Sequence, residues 1–196
     1  MSGNTFSNTS TGGQPADPYK EANLQEVSLK QKFEDLGSFI DSTKFGMMTT
    51  RQGVNGMLEH GVDLLFHTNT ETGKTDDLTS DPHINISFLD SSGQWASVSG
   101  EASVITDRSI VKKHYSPALK AWIGDLGDGK HDGGPDDPRI GIIKVKPLSI
   151  TYAVTNKTIV GRTVDVAKGI VTGQTPSINS LREIGPAEIE QWRLAN

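Results

Sequence analysis

Behind Ser28 and Gln31, a serine followed three residues later by a glutamine, apolar residues recur at helical spacing at Leu29, Phe33, Leu36 and Ile40. That pattern predicts a capped helix with one apolar face over about residues 29–41. Further along the period changes. Segments 45–50, 62–68, 83–89, 95–106 and 140–154 are rich in β-branched and aromatic residues and are bounded by Gly, Ser and Asp, which predicts five strands. Asp107 is placed to cap a short helix through His114, residues 117–123 read as another, and Pro186 opens a terminal helix over 186–193. Within the fourth strand, Val98 and Val104 alternate with small or polar neighbours across Gly100, the pattern of a strand bent for barrel closure. Strands joined by short helices, without repeated strand–helix units, predict an antiparallel barrel rather than a parallel nucleotide-binding sheet.

Composition narrows the setting. A chain of 196 residues with 34% hydrophobic content suits one core. Residues 1–18 contain little apolar surface and no Lys or Arg, so a disordered tail is expected there, with a single domain over 19–196. The net charge of −5 supplies no global attraction to nucleic acid or acidic membranes. Zero cysteines exclude disulfides and thiolate metal sites and favour a cytoplasmic location. No apolar run approaches the roughly 20 residues of a spanning helix, so neither nucleic acid nor membrane is an expected partner.

The chemistry concentrates where the second predicted strand ends. Phe66-His67-Thr68-Asn69-Thr70-Glu71-Thr72-Gly73-Lys74 runs from an apolar strand into a turn of hydroxyls, a glycine and a lysine, followed by the start of a helix. Backbone N–H groups at a helix start attract anions. Gly73-Lys74-Thr75 matches the end of the nucleotide-binding pattern G-x-x-x-x-G-K-[ST], but position 68 is Thr where the pattern opens with Gly. Without that glycine the backbone cannot wrap a polyphosphate closely, and a monophosphate is the alternative. Lys74 as a solvated charge would sit unfavourably at the positive end of the helix dipole, whereas an anion would reverse that. Thr72 can act as helix cap, as phosphate ligand, or as both.

The same segment resembles the F-x-T-N-x-x-S/T-x-K stretch of the pyridoxamine 5′-phosphate oxidase-like, FMN-binding split barrels. Asp81-Pro82-His83-Ile84-Asn85-Ile86-Ser87-Phe88, Trp95-Ala96-Ser97-Val98-Ser99-Gly100-Glu101-Ala102 and Asp137-Pro138-Arg139-Ile140-Gly141-Ile142-Ile143-Lys144-Val145 resemble later segments of that family in the same order. The glycine- and aspartate-rich insertion 124–135 is similar to fungal blue-light-inducible members of its general stress protein branch. The resemblance implies a mainly β (α+β) fold, an antiparallel split β-barrel with peripheral short helices. It also implies FMN as cofactor and a homodimer with the flavin near the subunit interface. The site it implies comprises His67, Thr68, Asn69, Thr72, Gly73 and Lys74, with Trp95 standing where the oxidases carry a Gln that touches the flavin from the partner subunit. A stress-linked oxidoreductase acting on a small molecule, with a small-molecule electron donor, is the expected function; a flavin carrier, a sensor, or a dimerising protein with a degenerate site is the alternative.

Several residues have competing readings. His67 is either a flavin contact or an ordinary strand residue, and Trp95 and Trp122 are either flavin contacts or core and interface residues. The family places an arginine on a strand between those corresponding to 45–50 and 62–68. Here only Gln52 to Gly61 stand between Arg51 and Val62, so a stunted strand is expected, with a hairpin turn at Asn55-Gly56 and Arg51 as substitute cation. The acidic loop at 124–137 fails the calcium-loop spacing because Lys130 and Arg139 occupy ligand positions. The oxidases' arginine-rich substrate motif has no clear counterpart, and Arg193-Leu194-Ala195 only echoes their ending.

Overall fold

The structure is a computed structural model that describes residues 17–43, 45–48, 52–59, 61–155, 157 and 159–196. Two helices lead, α1 (Pro18–Asn23) and α2 (Leu29–Thr43), followed by strands β1 (Phe45–Met48), β2 (Gln52–Glu59) and β3 (Asp63–Asn69). Helix α3 (Gly73–Ser80) precedes β4 (His83–Leu89) and β5 (Trp95–Ile105), and α4 (Arg108–His114) and α5 (Leu119–Ile123) precede β6 (Ile140–Val154). The chain ends with α6 (Ile159–Thr172), β7 (Ser180–Ile184) and α7 (Pro186–Ala195).

The sheet order is β3-β2-β1-β4-β5-β6-β7, every neighbouring pair is antiparallel, and β3 also pairs with β6. That extra pairing closes six strands into a barrel and leaves β7 as an extension along β6. Strand β6 makes closure possible because its first half serves β3 and β5 while its second half serves β5 and β7. The change of partner requires a bend. Opposite Ser99 and Gly100 the register on β6 passes from Ser149 to Pro147, so Leu148 is bulged out. A side chain at position 100 would stand 2.2 Å from the Lys146 carbonyl oxygen, so the close approach of the two backbones admits only glycine.

The barrel interior is filled by Leu64, Phe66, Ile86, Phe88, Val98, Ile143, Val145 and Tyr152, and α2 closes one side with Phe33, Leu36, Phe39 and Ile40. As the capping pattern predicts, Ser28 Oγ accepts from Gln31 N–H (3.2 Å), although the Gln31 side chain donates onward to Asp35. A smaller cluster of Leu65, Val111, Ile140 and Ile142, flanked by Tyr115, Leu119 and Ile123, holds α4 and α5 against the outside of β3 and β6.

Three expectations change. Residues 1–16 lie outside the described residues, but Asp17 and Pro18, assigned to the tail, open α1: the Asp17 carboxylate accepts from Lys20 N–H (2.9 Å) and Pro18 takes the first turn. Strand β2 is not stunted. It runs eight residues, pairing Gln52–Asn55 with β1 and Gly56–Glu59 with β3, and Asn55-Gly56 is straight strand rather than a turn. A turn there would have left Met57 and Leu58 without their β3 partners Leu65 and Leu64, and the reversal is instead made beside Gly61 at φ 67°. Helices α1 and α6 and strand β7 were not anticipated. Strand β7 is obscured by Arg182, a charged residue that is nevertheless buried and paired with Asp35.

Candidate functional site

Strand β3 carries side chains alternately to two environments. Leu64 and Phe66 enter the barrel core and Leu65 enters the α4–α5 cluster. Thr68 follows Phe66 inward and is buried, its hydroxyl donating to the Asn69 carbonyl at 3.2 Å. His67 follows Leu65 outward, and its Nε2 bonds the His114 carbonyl at the end of α4 (2.9 Å). Burial lowers the His67 pKa, so the ring is neutral and donates to that otherwise orphaned helix-end carbonyl. The two adjacent residues therefore present opposite faces, and the His67 ring is engaged with α4 rather than gathered with Thr72 and Lys74.

From Asn69 to Thr75 the chain is fixed by its own polar groups. Asn69 Oδ1 accepts from Glu71 N–H (2.9 Å), and the Asn69 carbonyl accepts from Thr72 N–H (3.3 Å) and Thr72 Oγ1–H (2.8 Å). Thr75 Oγ1 lies 2.7 Å from both the Thr70 and Thr72 carbonyls. Thr70 anchors the turn sideways, its N–H donating to the Arg139 carbonyl (2.7 Å) and its hydroxyl to the same oxygen (3.1 Å).

Helix α3 starts from this turn. Thr72 occupies the cap position but makes no side-chain cap bond, its one O–H being directed back to Asn69. Gly73 and Lys74 then begin the helix with N–H groups for which helix geometry offers no acceptor. A Cβ at Gly73 would meet nothing within 4 Å, so the surface is open at this point. Lys74 is half-buried and makes no hydrogen bond or ion pair among the described residues. Asn69, Thr72, Gly73 and Lys74 are thus brought together around an open helix start, with Asp76 also in the first turn.

The neighbouring acidic loop is a strap. Bonds from Arg139 hold the Asp137 carboxyl down at about 2, despite its burial, and Gly133 N–H adds a further donor. The same guanidinium reaches the carbonyls of Ile123, Gly124 and His131, gathering the loop onto the strand that meets Thr70. Asp125, Asp128 and Asp132 each accept a backbone N–H from their own turn.

Trp95 is not part of the turn in the same chain. It is half-buried and pairs with Ala153, whereas Thr68 pairs with Gly141, a separation along β6 of 12 residues (153 − 141). At about 3.3 Å per residue the two positions stand at opposite ends of that strand. A polar cleft of about 200 Å³ lined by Gln25, Thr155, Lys157 and Asn179 lies at the Trp95 end as well, away from the turn. Trp122 is exposed on α5, which removes the core reading for it. Arg51 lies outside the described residues.

One arrangement was missed in the sequence. Buried Asp63, the first residue of β3, receives Arg193 Nη2 at 2.7 Å and Lys144 Nζ at 3.3 Å, while Trp192 stacks on Phe33 with ring centroids 4.5 Å apart. Arg193 is therefore spent on fastening α7 to β3, and an echo of a substrate-binding ending becomes a structural clasp. An isolated Asp among apolar residues at a strand start was the available signal, since a buried carboxylate requires a cation.

Comparison with known proteins gives the same architecture. The protein bli-3 of Neurospora crassa is 59% identical over 206 aligned positions, covering 98% of this chain and 99% of that protein. A general stress protein 26 candidate from Jannaschia sp. CCS1 superposes with a TM-score of 0.60 at 19% identity, over 80% of this chain and 99% of that one. The general stress FMN/FAD binding protein of Xanthomonas citri gives 0.54 at 17% identity, over 66% and 92%. No helix among the described residues is long and apolar enough to cross a membrane. The family described as "Pyridoxamine 5'-phosphate oxidase like" matches residues 31–177, and with a closed antiparallel split barrel carrying the β3–α3 turn, this chain belongs to that family.

Proposed function

We propose that the chain is an FMN-binding oxidoreductase of the general stress type, working as a cytoplasmic homodimer with the flavin near the subunit interface. The observation that carries this reading is the start of α3, where Thr72, Gly73 and Lys74 surround an open position with two helix-start N–H groups, a hydroxyl and an ammonium that pairs with nothing among the described residues. That set suits a single phosphate group. A polyphosphate would need a flexible glycine backbone, whereas this turn is locked by Asn69, Thr70 and Thr75. The FMN/FAD binding of the Xanthomonas citri neighbour supports the choice of ligand.

In this reading Lys74 neutralises the phosphate and the α3 N-terminus adds its partial positive charge. Thr72 contributes by turning its single O–H from Asn69 toward the ligand. Thr68 and Asn69 form the strand end over which the rest of the cofactor lies, and Trp95 comes from the partner subunit, its own-chain position being at the far end of β6. Bound flavin supplies reversible one- and two-electron chemistry, while the protein sets its orientation and access. The substrate is a small molecule other than pyridoxamine phosphate, because Arg193 is held by Asp63. Mixing flavin-loaded protein with NADH or NADPH tests the activity. Oxidation of either nucleotide supports an oxidoreductase, and a flavin inert to both under air and under nitrogen favours a carrier.

A further inference from the structure

The polar cleft beyond the end of β6 takes no part in the proposed phosphate site. Three parts of the chain build it: Gln25 after α1, Thr155 and Lys157 after β6, and the stretch 177–180 that leads into β7. Its walls are braced by hydrogen bonds. Buried Asn23 accepts the N–H groups of Ile178 and Asn179 on Oδ1, each at 2.9 Å, and donates from Nδ2 to the Tyr19 and Pro176 carbonyls. The Gln25 N–H donates to the Leu181 carbonyl (2.9 Å), and the Thr155 hydroxyl donates to the Ile178 carbonyl (2.9 Å). The cleft is therefore framed by backbone that is already fixed, which spares a ligand the cost of ordering it.

The charge in the lining is answered within the wall. Lys157 donates to Asp165 of α6 (2.7 Å) and to the Ser177 carbonyl (2.6 Å). The groups left over are neutral. The side chains of Gln25, Ser177 and Ser180 make no hydrogen bond among the described residues, and buried Asn179 Oδ1 has no donor, its Nδ2 being given to the Tyr19 hydroxyl (2.7 Å). A buried acceptor in this state costs free energy until a donor reaches it, and a hydroxyl donates and accepts at one oxygen. An anion would meet Asp165 and the Asn179 oxygen, and a cation would meet Lys157. The volume of about 200 Å³ holds about seven waters at about 30 Å³ each, the bulk of a small sugar. We propose that this cleft binds a neutral five- or six-carbon sugar or sugar alcohol, whose hydroxyls bond Gln25, Ser177, Asn179 and Ser180. The ribityl chain of a flavin carries the same hydroxyl chemistry, so the test separates the two sources.

Amide NMR spectra of the full chain, recorded with and without FMN, are titrated with D-ribose, D-glucose, sorbitol and inorganic phosphate. At least one of the three hydroxylated probes should shift the amides of Thr155, Lys157 and Ser177 to Ser180 saturably, with a Kd of about 1 mM or tighter, whether or not FMN is present. Gln25→Ala and Ser180→Val should each weaken that binding about tenfold or more at an unchanged melting temperature. Gln25 is exposed, so its truncation keeps the test decisive if Ser180→Val fails to fold. The absence of a saturable shift from all three probes overturns the proposal, as does equal binding by wild type and both folded variants. Saturation of the same amides by phosphate makes the occupant an anion and overturns the neutral class. Displacement of the sugar by FMN makes the ribityl chain the occupant and overturns a site separate from the flavin.

Discussion

Arg193 in the last helix donates to Asp63 at the first residue of β3, 2.7 Å apart, so the end of the chain fastens the strand whose other end forms the β3–α3 turn. Asp63 is buried, and removing its principal cation leaves a carboxylate whose one remaining cation among the described residues is Lys144, at 3.3 Å. Arg193→Met should therefore destabilise the fold by about 3 kcal/mol, lowering the melting temperature by about 6–12 °C. Thermal unfolding of the purified variant measures this. A change under 1 °C would show that the clasp contributes nothing.

Lys74 and Gly73 separate ligand binding from folding. Lys74→Ala removes a charge that pairs with nothing among the described residues, so the ligand-free protein should melt unchanged while FMN binds about ten- to a hundredfold more weakly. Gly73→Ala adds a methyl to open space, so folding is unaffected or gains a few tenths of a kcal/mol, whereas a phosphate drawn to the helix start is crowded. Isothermal titration with FMN reads both. Equal affinities in wild type and both variants would move the ligand elsewhere.

At Gly100 the requirement is steric. Gly100→Ala places a methyl against the Lys146 carbonyl where the barrel bends, and about 3 kcal/mol of destabilisation is expected in urea unfolding. Ser99→Ala on the adjacent half-buried position serves as the control, with a loss below 1 kcal/mol.

His67 makes stability depend on pH. Burial lowers its folded pKa below the ordinary 6.5, so between the two values the unfolded chain binds more protons and stability rises with pH. The contribution is fully present above about pH 6.5 and is lost as pH falls toward the folded value. Wild type should lose more stability than His67→Gln between pH 7.5 and 5.5, because glutamine can still donate to the His114 carbonyl without titrating. Parallel urea midpoints for the two proteins would contradict this assignment.

Legibility in the sequence followed local chemistry. The strand at 83–89, the long strand at 140–154, the Asp107 cap and the bend at Gly100 were all readable, because period, cap and glycine each act within a few residues. The turn from Asn69 to Lys74 was readable for the same reason. What escaped depends on distant partners: β7 exists because β6 extends past the bend, Arg182 is tolerable in it because Asp35 waits on α2, and Arg193 is a clasp because Asp63 is buried 130 positions earlier. Strand β2 departs from expectation because Asn55-Gly56 has the composition of a turn, while pairing with β1 on one side and β3 on the other keeps it extended.

The proposed function rests on recognition of the FMN phosphate by the open start of α3. Thermal stabilisation of the flavin-free protein by FMN and by riboflavin, which has the same ring and no phosphate, tests it most directly. FMN should raise the melting temperature and bind at one per chain, and the same concentration of riboflavin should have little effect. Equal stabilisation by riboflavin, or none by FMN, would contradict the account.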